Sequence, residues 1–339
     1  MKNPSKSVAV IVPADTESLH SITQRFAKNS LSPSARSTYK YQWKFFTEWC
    51  ATIKAEDGSS PLATLPAGLE CISAYVAYMY KCGKSQSTIT VALAAIKSMH
   101  TEADLPDPTS DTRLKKILDG QRRTMALEGN NTGKPPKPTA TLQHIRKLIS
   151  ACGYSDTGIR NRAMILVAFG GWLRRSDLLS MRIERIKWFT DKAVVTLGQT
   201  KTDQNAKGQT IELPRITSEW KDLCPYMALK AWLGLCGKAS GPVWLQTYHG
   251  KITDKPLISP GYFYKMVMAT AERAGIPKSE IAPHRTFRAT PITMAILAST
   301  PMAEVMDKAR HKSAQTTTKY FDGLAAGQGR ASRAVYGEK

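Results

Sequence analysis

The 339-residue chain contains no CxxC pair. Its cysteines, Cys50, Cys71, Cys82, Cys152, Cys224 and Cys236, are scattered, and none has a histidine at zinc-ligand spacing. This argues against a structural zinc module and reads as reduced, mostly buried cysteines of an intracellular protein. Long apolar runs are also missing: Val8 to Val12 and Ala163 to Phe169 are far too short to span a bilayer. The N-terminus lacks the apolar core of a secretory signal. Neither an internal repeat nor a low-complexity tract is found, so solenoid and fibrous classes drop out. Negative charge is scarce: 48 Lys and Arg against 27 Asp and Glu leave a net charge of +21. A surplus of that size implies a polyanionic partner, because neutralised phosphates release counterions; acidic proteins or an anionic membrane surface are the alternatives.

What remains is ordinary for a globular protein. Apolar residues make up 42% and charged residues 22%, and the length suffices for two domains with separate cores. Residues 1–17 show no useful periodicity and read as a flexible tail. Residues 18–128 carry four helical patterns. The first opens at Ser32-Pro33 and continues over Thr38 to Ile53, with Tyr39, Trp43, Phe46 and Cys50 on one face; the others run from Pro66 to Lys81, Gln86 to Thr101 and Asp111 to Leu127. The last is strongly basic, with Arg113, Lys115, Lys116, Arg122 and Arg123. Residues 129–141, GNNTGKPPKPTAT, are too rich in Gly and Pro for helix or buried strand and mark a linker. Residues 142–339 form a second domain. It is expected to be mostly helical, with one small antiparallel sheet from Lys192 to Leu197 and Gln209 to Leu213 around a polar loop. Helices are expected over Leu142 to Ala151, Ile159 to Trp172, Arg174 to Ile183, Ser218 to Leu235, Pro260 to Ala274, Thr286 to Ala298, Ala303 to Ala309 and Thr316 to Phe321. The fold class is therefore mainly α.

Five residues in this second domain stand out by their chemistry. They are Arg174 in LRRSDLL, Lys201 in GQTKTDQ, Arg288 in HRTFRAT, and His311 and Tyr320 in RHKSAQTTTKYFD. Arginines neutralise phosphate and fork onto its oxygens, and a tyrosine hydroxyl can bond covalently to phosphorus. No acidic metal cage is needed. Singly, each has a plainer explanation: Arg174 with Asp177 is a common surface ion pair at i,i+3, Lys201 a solvated loop lysine, Tyr320 a core aromatic. Together, and in this order, they point to attack on a phosphodiester.

The constellation resembles the tyrosine recombinase (phage integrase-like) family, with its Cre-like and Xer-like members. That family's pattern is an Arg in R-x-x-[DE]-L, a Lys in a β-hairpin, an H-x-x-R box, a later His or Trp, and a Tyr nine residues beyond. Arg174, Asp177 and Leu178 match the first box, and Lys201 the hairpin lysine, with Arg175 and Lys207 as adjacent competitors. Arg288 matches the second arginine; His311 and Tyr320, nine positions on, match the last two members. One position departs. The family histidine three before Arg288 falls on Arg285, with His284 one place early. Either Arg285 replaces it, which would retain phosphate binding but cannot accept a proton, or a local backbone shift lets His284 serve. His284, after Pro283, can equally be a helix cap.

The resemblance implies a fold, a partner and a reaction. The first domain would be a core-binding DNA-binding domain of four-helix type, and the second a catalytic domain. Double-stranded DNA at specific recombination sites would be held in a C-shaped clamp by a homo-tetramer on synapsed sites, with accessory DNA-bending factors as further partners and no membrane. Tyr320 would form a 3′-phosphotyrosyl link, Lys201 would protonate the leaving 5′ oxygen, and two exchanges would pass through a Holliday junction without metal or other cofactor. Asp177 would orient Arg174. The expected place of action is inside the cell, on DNA. Two rival readings share the motifs: a type IB topoisomerase, and a DNA-binding regulator or architectural protein whose recombinase site has decayed.

Overall fold

The computed structural model describes residues 21–22, 25–26, 29–53, 62–129, 140–198, 208–318 and 320, the side chains of Pro260 and His284 excepted. The expected tail over 1–17, most of the expected linker, the loop holding Lys201 and Lys207, and residues 321–339 lie outside them. The chain divides into two compact units, Met1–Pro135 and Pro136–Lys339.

The first unit is built from helices whose ends are written locally. α1 (Pro33–Thr52) begins with Pro33 in its first turn, and the Ser32 hydroxyl accepts from the Ala35 N–H at 3.2 Å. α2 (Leu69–Lys81) and α3 (Gln86–Glu102) follow, then α4 (Thr112–Leu127), where the Asp111 carboxylate accepts from the Arg113 N–H at 2.8 Å. Their apolar faces meet in one core of Phe46, Trp49, Cys50, Ile72, Tyr75, Val76, Ile89, Ile96 and Leu114. Each large side chain so buried contributes about 1.5–3 kcal/mol. The basic face of α4 stays in solvent, with Lys115, Lys116, Arg122 and Arg123 exposed.

In the second unit α5 (Leu142–Ser150) packs on α6 (Asp156–Gly170), whose run Ala163 to Ala168 is buried without interruption. A short α7 (Arg175–Leu179) leads to a three-stranded antiparallel sheet of β1 (Ile186–Trp188), β2 (Lys192–Thr196) and β3 (Thr210–Pro214), in that order. The β2–β3 register pairs Val195 with Ile211 and Ala193 with Leu213, and those four side chains face the core. α8 (Pro225–Cys236) follows, then β4 (Leu245–Tyr248) and β5 (Lys251–Pro256), α9 (Pro260–Arg273), α10 (Pro283–Leu297), α11 (Met302–Ala309) and α12 (Ala314–Thr318).

The β4–β5 hairpin is a second sheet where the sequence predicts only one. Its turn uses His249 and Gly250, both at positive φ (46° and 80°), the twist that suits a two-residue hairpin, but without the Asn-Gly or Asp-Gly that announces such turns. β1 is also additional. Two buried indoles brace this unit: Trp232 Nε1 donates to the Val243 carbonyl at 2.8 Å, and Trp244 Nε1 to the Leu178 carbonyl at 2.7 Å. A separate small cluster of Ile292, Ile296, Val305 and Ala309 joins α10 to α11, and Trp172, Ala295 and Tyr320 pack against it.

Candidate active site

Arg174 is delivered by a turn. α6 ends at Gly170, and at Gly171 a Cβ would stand 3.0 Å from the Val167 carbonyl oxygen and 3.1 Å from Ile211 Cδ1, so a larger residue would crowd the sheet. Trp172 is left-handed, φ 50°, a conformation costing a non-glycine residue about 1–3 kcal/mol and found mainly where surroundings enforce it. Leu173 is then buried, and Arg174 emerges extended, ψ 153°, as the residue capping α7. The helix expected from Arg174 to Ile183 is thus corrected to Arg175–Leu179. The left-handed turn fixes its start, and capture of the Leu178 carbonyl by Trp244 lies at its end.

Asp177, 1% exposed, is the anionic centre. Its Oδ2 lies 3.2 Å from Arg310 Nη2 and 3.7 Å from Arg174 Nη1, and Ser176 Oγ donates to Oδ1 at 3.2 Å. The carboxylate therefore has Arg310 as its nearer cation, where the sequence points to Arg174 alone. Arg310 lies outside the motif that its neighbour His311 carries; its mark in the sequence is the basic RHK step at the end of a helical segment.

Arg288 comes from α10. Its Nη1 donates to the Trp172 carbonyl at 2.8 Å and its Nη2 to the Ala309 carbonyl, so the guanidinium ties the α6–α7 turn to the end of α11. Arg310 closes α11 in a left-handed conformation, φ 55° and ψ 47°, and its fork makes longer contacts to the Gly171 and Trp172 carbonyls, both 3.4 Å. His311 follows directly. Its Nδ1 lies 2.9 Å from Thr317 Oγ1, and its ring lies nearly parallel to that of Tyr320, with centroids 5.9 Å apart and 14° between planes. The Tyr320 N–H donates to the Thr317 carbonyl at 3.0 Å, and its half-buried ring rests on the small apolar cluster. The spacing from His311 to Tyr320 is what α12 needs to bring the two rings together.

Two guanidiniums thus pair with one carboxylate, and a third, that of Arg288, lies within its electrostatic reach. Burial, then Arg174 and Arg310, pulls Arg288 down to about 10. Burial lowers Arg310 as well, with Asp177 opposing. Burial, then Arg288, Arg174 and Arg310, brings His311 down to about 4, so its imidazole is neutral at neutral pH. Surplus positive charge with little water is relieved by an incoming anion, the condition for stabilising charge that develops on a phosphoryl group. The half-buried phenol of Tyr320 stands beside this group of cations, stacked on His311. Among the described residues no group of His, Cys, Asp and Glu could hold a metal ion.

Arg174, Asp177, Arg288, His311 and Tyr320 are therefore neighbours in one region. Arg285 lies in the first turn of α10 and is exposed; its side chain makes no hydrogen bond or ion pair among the described residues. Lys201 and the side chain of His284 fall outside them. Lys308, also outside the motifs, is half-buried and donates from Nζ to the Glu212 carbonyl at 2.7 Å. It ties α11 to β3, the strand that follows the loop of Lys201; burial lowers its pKa.

Residues 139–326 match the Phage integrase family. The chain is 24% identical over 311 residues to an integrase/recombinase xerD homolog of Selenomonas ruminantium, covering 91% of this chain and 87% of that protein. In fold it is similar to a lambda integrase dimer bound to a COC′ core site: TM-score 0.59, 15% identity, 91% of this chain and 79% of that one. A lambda integrase tetramer bound to a Holliday junction aligns with TM-score 0.57 and 14% identity over 91% of this chain and 78% of that one. The Tn1549 transposon integrase in complex with transposon right end DNA gives TM-score 0.56 at 16% identity, over 92% and 98% of the two chains.

Proposed function

Because the chain belongs to the phage integrase family, we propose that it is a site-specific tyrosine recombinase that cuts and rejoins double-stranded DNA through Tyr320. The observation that carries this reading is the Arg174–Arg288–Arg310 group around Asp177, with the His311–Tyr320 stack beside it.

The Tyr320 hydroxyl gives its proton to water and attacks a backbone phosphorus, forming the phosphotyrosyl bond as the bond to the 5′ oxygen breaks. Arg174 and Arg288 fork onto the non-bridging oxygens, where each well-placed donor is worth about 2.7–4 kcal/mol of barrier. His311 Nδ1 is engaged by Thr317 Oγ1 at 2.9 Å, and in the tautomer in which the hydroxyl donates, Nε2 carries the proton that meets a phosphate oxygen. Lys201 supplies the proton taken up by the departing 5′ oxygen. The bond energy is kept in the ester, so a 5′ hydroxyl from a partner strand reseals the break without ATP, first making and then resolving a Holliday junction. Arg285 stands in the family's histidine place as a further phosphate contact, with His284 as the alternative. The lambda and Tn1549 integrases were solved on DNA, and that partner is carried over here: the first unit, with its basic α4, is assigned to DNA backbone contacts, and the assembly to a homo-tetramer on two synapsed sites. No helix among the described residues is long and apolar enough to cross a membrane, and a DNA substrate places the activity inside the cell.

The test is a duplex nicked next to the cleavage point, cut from the flanks of the protein's own element, so that the short leaving strand diffuses away. Wild type gives a covalent adduct mapping to the peptide of Tyr320, and Tyr320→Phe binds the same DNA without forming it. A wild type that binds but never forms the adduct would reduce the protein to a DNA-binding factor with a decayed site.

A further inference from the structure

Arg310 belongs to no motif, yet it contacts Asp177 and shares an acceptor with each of Arg174 and Arg288. It shares Asp177 Oδ2 with Arg174, at 3.2 Å against 3.7 Å. It also shares the Trp172 carbonyl with Arg288, at 3.4 Å against 2.8 Å. Its side chain is 5% exposed, and its Nε has no acceptor among the described residues. Its backbone is left-handed, φ 55°, where glycine would fit without strain. A buried cation, an unsatisfied N–H and a disfavoured backbone are three separate penalties at one residue. Burial alone does not account for them: Arg160, 1% exposed in α6, finds neutral acceptors in Asn161 Oδ1, the Leu245 carbonyl and the Tyr262 hydroxyl, and faces no carboxylate.

From this geometry we propose that Arg310 is a positioning residue, which holds Asp177 partly off Arg174 and shares the Trp172 carbonyl with Arg288, so that both arginines keep the orientation in which they meet a phosphate. Without Arg310 the buried carboxylate has one cation left, and Arg174 is drawn onto it as a charge-assisted pair. The turn carrying Trp172 loses one of the two donors on its carbonyl. The consequence for cleavage rests on the recombinase reading; the arrangement of the side chains does not.

Arg310→Gly suits the left-handed backbone and removes only the side chain. On nicked DNA its rate of adduct formation is expected to fall by about 30-fold, and adding Asp177→Asn should return about tenfold of that, since the carboxylate that captures Arg174 is gone. A packing role predicts no such recovery. A glycine variant reacting at the wild-type rate, or a double variant with no recovery, overturns the proposal. Should Arg310→Gly fail to fold, Arg310→Lys takes its place: it keeps the charge but not the planar fork, and an undiminished rate refutes the sharing of acceptors. If wild type forms no adduct, the recombinase reading falls, and Arg310 is judged by a DNA-free crystal structure of the glycine variant. There Arg174 Nη1 should close from 3.7 Å to about 2.8 Å from Asp177; an Arg174 that stays in place ends the proposal on its own terms.

Discussion

His100 in the first unit and His311 in the second each hold a partner on Nδ1 at 2.8–2.9 Å, and there the likeness ends. His100 is fully buried: Nδ1 meets the Ile96 carbonyl, and Nε2 accepts from the Ala67 N–H at 2.9 Å, so both nitrogens are spent on backbone. His311 spends Nδ1 on a threonine, stacks on Tyr320, and is kept neutral by its burial and by the field of three guanidiniums. A buried polar group satisfied by backbone serves the fold. One held among unbalanced like charges is kept for an anion still to come. The same contrast separates the units, since His100 is the only fully buried polar side chain among the described residues of the first, whereas the second buries Arg160, Asp177 and Arg310.

That contrast is breakable by substitution. Arg288→Ala should cut adduct formation by about 10²–10³-fold with little change in DNA affinity, because it removes charge stabilisation in the transition state; a small loss would mean that the second unit's charges are structural after all. His100→Ala should do the reverse. It strands the Ala67 N–H and lowers stability by about 1–3 kcal/mol in a denaturant titration, with the cleavage rate of bound complexes unchanged. His311→Gln sharpens the comparison through pH. With its pKa held at about 4 against an ordinary 6.5, the folded state binds fewer protons than the unfolded chain between those values. Stability is therefore lost as pH falls from about 6.5 through about 4, and the glutamine variant should show a flatter slope over that window. An unchanged slope means that His311 is solvated. The smallest effect is expected at Arg285, exposed and unbonded: Arg285→Ala should slow cleavage less than about tenfold. A loss comparable to that of Arg288→Ala would make it a full member of the site.

How much of this was legible in the sequence depends on whether a feature is local. Helix starts at Ser32 and Asp111 can be read directly, since the capping residue lies within three positions of the N–H it satisfies. The neighbourhood of Arg174, Arg288, His311 and Tyr320 was legible through spacing, because α12 makes the interval between the last two a geometric requirement. The His249-Gly250 turn was not, since its left-handed histidine carries no compositional mark. Nor was the bond from Arg310 to Asp177, which lie 133 positions apart and meet only because residue 310 adopts positive φ and turns its side chain inward. Arg174 at a helix cap was hidden for the same reason: the left-handed Trp172 before it is imposed by tertiary packing, not by any preference of tryptophan.

The small cluster under Tyr320 has a consequence for motion. Asp177 is rooted through Leu178 and Trp244 in the unit's extensive main core, while Tyr320 rests, among the described residues, on the small cluster of Ile292, Ile296, Val305 and Ala309 with Trp172 and Ala295 at its edge. Little apolar surface must be exposed to lift the α11–α12 end away, so its amides should exchange with deuterium sooner than those of α6. On so shallow a footing the Tyr320 end is expected to open ahead of the main core, while the carboxylate and its cations hold station.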